Sequence, residues 1–214
     1  MAKFTLFAKI LNTLLPNMCE ICHSFCDQEI CDSCLKTLPI HPKIKSIPPL
    51  TNIHSLCRYE DPIKHLLSRI KFDGQKHIAS HLSTLLKRHI PSQTLKNIDV
   101  IIPVPLHSAR YKKRGFNQVD LLFQPLAKAT HIPYHNHILS RIKATPPLFN
   151  LDKEQRPIIL QDAFCIHHPK VILGKNVMIV DDIYTTGSTL NACGRLLKKK
   201  GAKSVQGMTL CEVK

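Results

Sequence analysis

The sequence predicts an α/β fold, a mostly parallel sheet flanked by helices, with a small cysteine-rich module in front of it. Three observations predict this. Two apolar runs, Asp99 to Pro105 and Asn176 to Asp181, read as buried strands that stop abruptly. Stretches of helical spacing lie between and around them, and alternating strands and helices argue for parallel pairing. Four cysteines near the N-terminal end follow the pattern C-x2-C-x8-C-x2-C.

In chain order, Phe4, Phe7, Leu11, Leu14 and Leu15 have helical spacing. Lys9 and Asn12 interrupt the run, and no small-residue cleavage site follows. The expectation is a helix packed on the protein's own core, with no secretory signal, no stable membrane insertion and a cytoplasmic setting. The alternative is a surface helix that docks a partner or the inner face of the membrane. Residues 1–38 are then the N-terminal helix and cysteine module. The proline-rich residues 39–50 read as a linker, and residues 51–214 as the main domain. Within it, SLCRY suggests a short strand. Asp61-Pro62 reads as a helix N-cap followed by Pro at the first helical position. Ile63, Leu66, Leu67 and Ile70 continue that helix, KFDG turns, and Leu82, Leu85 and Leu86 mark a second helix. A longer helix through Val119, Leu122, Phe123 and Leu126 is expected to kink at Pro125. Short strands are expected near Ile138 and Phe164, a helix from about Ser188 to Lys200 with Gly201 ending it, and a last strand over about Ser204 to Cys211.

Cys19, Cys22, Cys31 and Cys34 form two C-x2-C turns separated by eight residues. Each turn aims two sulfurs at one point, and two such turns close a tetrahedral thiolate site suited to Zn. In a reducing compartment disulfides are disfavoured. A haem-attachment reading of Cys19-Glu20-Ile21-Cys22-His23 requires export and leaves Cys31 and Cys34 unexplained. Cys26 fits neither turn. Cys57, Cys165, Cys193 and Cys211 read as small buried hydrophobes.

The formal net charge is +15, which predicts an anionic partner. The charge is uneven. Residues 19–38 hold Glu20, Asp27, Glu29 and Asp32 against Lys36 alone. Residues 106–143 hold Arg110, Lys112, Lys113, Arg114, Lys128, Arg141 and Lys143 against Asp120 alone. Tyr111 to Phe116 interleaves basic and aromatic residues, a pattern that suits stacking on single-stranded nucleic acid. A solvated helix start explains the same residues.

The stretch VMIVDDIYTTGST, Val177 to Thr189, joins a buried strand to two adjacent carboxylates and a loop of small residues. Ligands of open α/β sheets bind outside the carboxyl ends of strands. Asp181 and Asp182 point to opposite faces if the strand is regular. Tyr184, Thr185, Thr186, Gly187, Ser188 and Thr189 offer backbone N–H groups and hydroxyls ahead of a helix N-terminus, which makes a cradle for one phosphate. Together the two halves suit a sugar phosphate. A polar turn capped by Ser188 or Thr189 explains the small residues but not the paired carboxylates.

These residues resemble the 5-phosphoribosyl-1-pyrophosphate (PRPP) motif of type I phosphoribosyltransferases. A second block, VIIPVPLHSARYKKRGFNQ from Val100 to Gln118, resembles the ComF/ComFC competence proteins, as do the four cysteines and, more weakly, the spacer from Arg141 to Phe164. The resemblance implies a type I phosphoribosyltransferase-like sheet behind a structural zinc module. It implies that Asp181 and Asp182 hold ribose hydroxyls and organise Mg, and that Thr185 to Thr189 hold the 5-phosphate. It places Pro103-Val104-Pro105 near pyrophosphate, with Arg114, and Lys71 from a loop over the site, supplying positive charge. It further implies binding of single-stranded DNA in natural transformation, after uptake and on the cytoplasmic side, in company with other competence proteins. A catalytically active phosphoribosyltransferase with an unknown acceptor is the alternative. Leu148 and Ile159 stand where family members often carry Gln and Asn, so acceptor recognition by the spacer is not carried over.

Overall fold

The computed structural model describes residues 18–28, 30–144, 155 and 159–213. The segment Phe4 to Leu15, Glu29, Leu148 and most of the Arg141–Phe164 spacer lie outside the described residues. The cysteine segment leads through a short helix, α1 (Asp32–Lys36), into two strands, β1 (Ile40–Ile47) and β2 (Leu50–Arg58). Helices α2 (Ile63–Asp73), α3 (Ile78–His89) and the single turn α4 (Ser92–Leu95) precede β3 (Val100–Pro103). Then come α5 (Ser108–Arg114), α6 (Gln118–Ala129), the short strands β4 (Leu139–Arg141) and β5 (Phe164–Ile166), β6 (Asn176–Tyr184), α7 (Ser188–Lys199) and β7 (Ser204–Glu212).

The main sheet has the order β1-β2-β7-β6-β3. All neighbours are parallel except β1, which pairs antiparallel with β2 at the edge. Strands β4 and β5 form a separate antiparallel pair. The expected mostly parallel α/β sheet flanked by helices is therefore present. Among the described residues no helix is long and apolar enough to cross a membrane.

Strand β6 shows how the layers form. Its residues alternate between faces. Met178 and Val180 pack with Leu66, Ile70, Leu82, Val119 and Phe123 of α2, α3 and α6. Val177 and Ile179 pack with Leu190, Cys193 and Leu197 of α7 and with Phe164 of β5. The helices bury the faces their spacing marks: Ile63, Leu66, Leu67 and Ile70 on α2, and Val119, Leu122, Phe123 and Leu126 on α6. Pro125 sits on the exposed side of α6, which passes through it to Ala129.

Three expectations change. Residues 39–50, read as a linker, supply β1, and Leu38 is buried in the same core as Leu56 and Leu66. Helix α2 starts at Ile63 with Pro62 in the cap position and no side-chain cap from Asp61. It also runs on to Asp73 and closes on Gly74 at φ 71°, so Lys71 belongs to its last helical turn and not to a loop.

Candidate functional site

Alternation along β6 sends its two terminal carboxylates to opposite sides of the sheet. Asp182 follows Met178 and Val180 to the α2/α6 side, where it is buried. There the Lys71 ammonium forms an ion pair with Asp182 Oδ2, and Gln118 Nε2 donates to the same oxygen at 3.4 Å. Burial pushes the Asp182 carboxyl up, but the Lys71 charge outweighs it and holds the carboxyl below its usual range. Lys71 shows the mirror effect: burial disfavours its charge, and Asp182 more than restores it.

Asp181 turns to the α7 side and is half-buried. Its Oδ1 accepts the Asp182 backbone N–H at 2.9 Å. Burial, the adjacent Asp182 charge and the contact between the two carboxyls push Asp181 well above the usual carboxylate range. Two neighbouring acids thus differ in character because the Lys71 ion pair outweighs the burial of Asp182, while the same charge only partly offsets the burial of Asp181.

Asp181, Ile183 and residues 184–190 line one concavity. Gly187 stands at φ 75° in the N-cap position of α7, with no side-chain cap. The Thr186 and Ser188 hydroxyls bond to each other at 2.7 Å. Neither Ser188 nor Thr189 takes the cap position, and Gly187, which does, has no side chain to cap the twelve-residue helix α7. A Cβ at Gly187 would come 2.8 Å from Tyr184 Cε2, so the turn requires glycine on both conformational and steric grounds. Tyr184 itself is buried under the turn, where the sequence reading placed it among the ligand contacts.

The RGFNQ residues stand on the Asp182 side of the sheet, where Gln118 meets that carboxylate. Gly115, at φ 80°, ends α5, and the Asn117 side chain caps α6 by accepting from Val119 N at 3.1 Å. Asn117 Nδ2 also donates to Val104 O at 3.0 Å, which ties this corner to the Pro103–Pro105 segment. Arg114 bonds to Gln118, so a polar chain runs from Arg114 through Gln118 to Asp182 and Lys71. The structure therefore brings Lys71 and Arg114 to the carboxylates. It leaves Tyr111, Lys112 and Lys113 exposed along α5, with Arg110 half-buried. Gln118 and Asn117 were quoted in the sequence block without roles, because a buried amide carries no signal apart from its neighbours. Arg141 is close enough to Asp181 and Arg110 to feel both charges.

The sulfurs of Cys19, Cys22, Cys31 and Cys34 all lie within 4.8 Å of one another. A tetrahedron with Zn–S bonds of about 2.3 Å has edges of about 3.8 Å, and Cys22 Sγ stands 3.8 Å from Cys31 Sγ. Cys19 Sγ accepts from the backbone N–H groups of Ile21 and Cys31, each at 3.4 Å. Hydrogen bonds from Ser24 pull the Cys22 thiol down to about 6. Hydrogen bonds lower the Cys31 thiol as well, burial pushes the Cys34 thiol up, and the set could hold zinc. Cys26 stays outside it and donates to Gln28 O at 2.7 Å.

The family model for the phosphoribosyl transferase domain matches residues 75–214. The DNA utilization protein YhgH of Escherichia coli (strain K12) is 33% identical over 205 residues, covering 91% of this chain and 89% of that protein. Competence protein F of Haemophilus influenzae is 36% identical over 181 residues, covering 82% of this chain and 75% of that one. The chain belongs to the ComF/ComFC family. Its Bacillus subtilis (strain 168) relative, competence protein ComFC, is 30% identical over 210 residues, covering 94% of this chain and 80% of that protein. The domain model begins after α2, so this ComF/ComFC chain contributes Lys71, β1 and the four cysteines from outside the matched range.

Proposed function

We propose that this chain acts in DNA uptake, with a phosphoribosyl site at the end of β6 and a single-stranded DNA surface on α5. The ligand is PRPP or a related sugar phosphate. One observation carries the reading: two carboxylates of opposite character stand at the carboxyl end of β6, joined by the Gly187 turn to the uncapped start of α7. Asp181 and Asp182 would take the ribose hydroxyls, and the N–H groups of residues 185–189 the 5-phosphate. Mg fits here because a further cation would offset the repulsion between the two adjacent carboxylates, which helps to raise Asp181. Bound Mg would neutralise the pyrophosphate of PRPP. Zinc in the four-thiolate set would hold the N-terminal segment, which then docks protein partners and not phosphate, because four thiolates around one Zn carry net negative charge. The names of the relatives support a place in competence, and the proposed setting is cytoplasmic, on the inner side of the membrane.

The DNA surface is supported by Tyr111, 49% exposed, between half-buried Arg110 and exposed Lys112 and Lys113. Phosphate contacts release counter-ions, so log affinity falls with log salt at about 0.7 per contact on single strands. Neutralising Lys112 and Lys113 to Gln is expected to cut that slope by about 1.4, measured by fluorescence anisotropy on an oligonucleotide across a salt series. A wild-type chain with no salt-dependent binding at low ionic strength removes the DNA half of the proposal.

A second reading, turnover of PRPP on an unknown acceptor, is favoured by Asp181 alone, since a carboxyl held above its usual range suits proton exchange. Pyrophosphate release with a panel of bases, absent in Asp181→Asn, decides for it.

A further inference from the structure

One buried carboxylate near the site takes no part in it as described. Glu212, the last residue of β7, is 3% exposed and stands in register with Tyr184 of β6. Two lysines of the edge strand β1 neutralise it: Lys45 Nζ at 2.8 Å and Lys43 Nζ at 3.1 Å. Burial pushes the Glu212 carboxyl up, and the hydrogen bonds and charges of Lys45 and Lys43 more than offset this.

Lys45 has a second contact. Its ammonium lies 5.1 Å from the centre of the Tyr184 ring, within the range of a cation–π attraction. That ring is the floor of the Gly187 turn, close enough that a Cβ there would sit 2.8 Å from Cε2 and 3.0 Å from the phenol oxygen. The backbone of Tyr184 is fixed from the same side, since Val213 N donates to its carbonyl at 2.8 Å. No side chain caps α7, so the position of its first N–H groups depends on the turn, and the turn rests on the ring. Lys43 shares the carboxylate but not the ring contact. An ion pair that merely pinned the edge strand would need neither the ring nor this asymmetry.

We infer that Lys45, held by Glu212 against the Tyr184 ring, is a positioning residue for the phosphate loop, so that strand β1 helps set affinity for a 5-phosphate. The inference rests on reading residues 185–189 as the 5-phosphate cradle. Lys45 touches no ligand in this account; it acts through Tyr184.

The test is calorimetric titration of ribose 5-phosphate into the full chain and three variants, Lys45→Gln, Lys45→Arg and Lys43→Gln. Both lysines are more than a third exposed, so the variants are expected to fold, and thermal unfolding checks this. Lys45→Gln should weaken binding about two- to fivefold, the equivalent of one half-exposed cation–π contact. Lys45→Arg should restore it, and Lys43→Gln should stay near wild type. An unchanged Kd in Lys45→Gln, with or without a lowered unfolding midpoint, overturns the inference while leaving the cradle intact. Equal losses in Lys45→Gln and Lys43→Gln also overturn it, since bulk charge then explains both. If the wild-type chain itself does not bind ribose 5-phosphate, the cradle reading falls and the inference with it.

Discussion

Asp181→Asn is expected to make the protein more stable at neutral pH, and Asp182→Asn to make it less stable. The two acids are adjacent and chemically identical, so the opposite signs come from their surroundings. Asp182 carries the Lys71 ammonium, whose side chain is 17% exposed. Removing the carboxylate charge strands that buried cation, a loss of about 3 kcal/mol or more. Asp181 faces the Asp182 charge, and the charges of Lys71 and Arg141 offset that only in part, so the carboxyl stays raised. Asn at 181 still accepts the Asp182 N–H through its Oδ1 and ends the repulsion.

The pH dependence follows with fixed sign. Asp182 is depressed in the folded state, so its contribution is full above the unfolded value of about 3.9 and is lost as pH falls through the lower folded value. Asp181 is raised, so its contribution is full below about pH 3.9 and is lost as pH rises through the folded value. The advantage of Asp181→Asn should therefore grow as the pH rises above about 4 and vanish as the pH falls below it. Denaturant unfolding of both variants across this range checks it. A destabilised Asp181→Asn at pH 7 would show that the two carboxylates share a proton more evenly than their contacts indicate.

Stripping the proposed zinc from the four thiols is expected to lower the unfolding midpoint of the whole chain in one transition. Cys19, Ile30, Cys34 and Leu38 are buried in the core that also holds Leu56, Leu66, Leu67 and Ile70. Glu20 pairs with Arg69 of α2, with contacts of 3.2 and 3.3 Å. Two residues further along the same helix, Lys71 reaches Asp182. Structural zinc contributes on the order of 10 kcal/mol to small zinc-dependent folds. If half of that is transmitted, the midpoint falls by about 10 °C or more in a chain of this length. Scanning calorimetry with and without a strong chelator reads the result. Two separate transitions, or an unmoved main one, would show the cysteine segment to be an independent unit.

The sheet was legible because its central strands are short apolar runs buried on both faces and its helices bury the predicted stripes. Strand β1 was not legible: Pro42, Pro48 and Pro49 make HPKIKSIPP look like a linker. Proline is tolerated there because β1 is an edge strand, where a missing N–H costs no ladder partner. Helix α5 was readable only as a solvated helix start, because it buries none of its residues and so has no apolar period to mark its length. At the site, the carboxylates and the glycine turn were readable as a contiguous stretch. The partners that tune them were not. Lys71 was placed near the site by the resemblance alone and on a loop; Gln118, Lys45 and Glu212 come from three further elements, and only the fold sets them against Asp182 and Tyr184. The RGFNQ block changed meaning most: Gly115 and Asn117 end one helix and start the next, which leaves Arg114 and Gln118 to face the site.

The most direct measurement is calorimetric titration of PRPP with Mg into the wild-type chain and into Asp181→Asn, a variant chosen because it should remain folded. The account predicts Mg-dependent binding by the wild type and a loss of about tenfold or more in the variant, as expected for removing a charged hydrogen-bond acceptor. Equal affinity in the two proteins, or no binding by the wild type, would contradict a phosphoribosyl site at the end of β6.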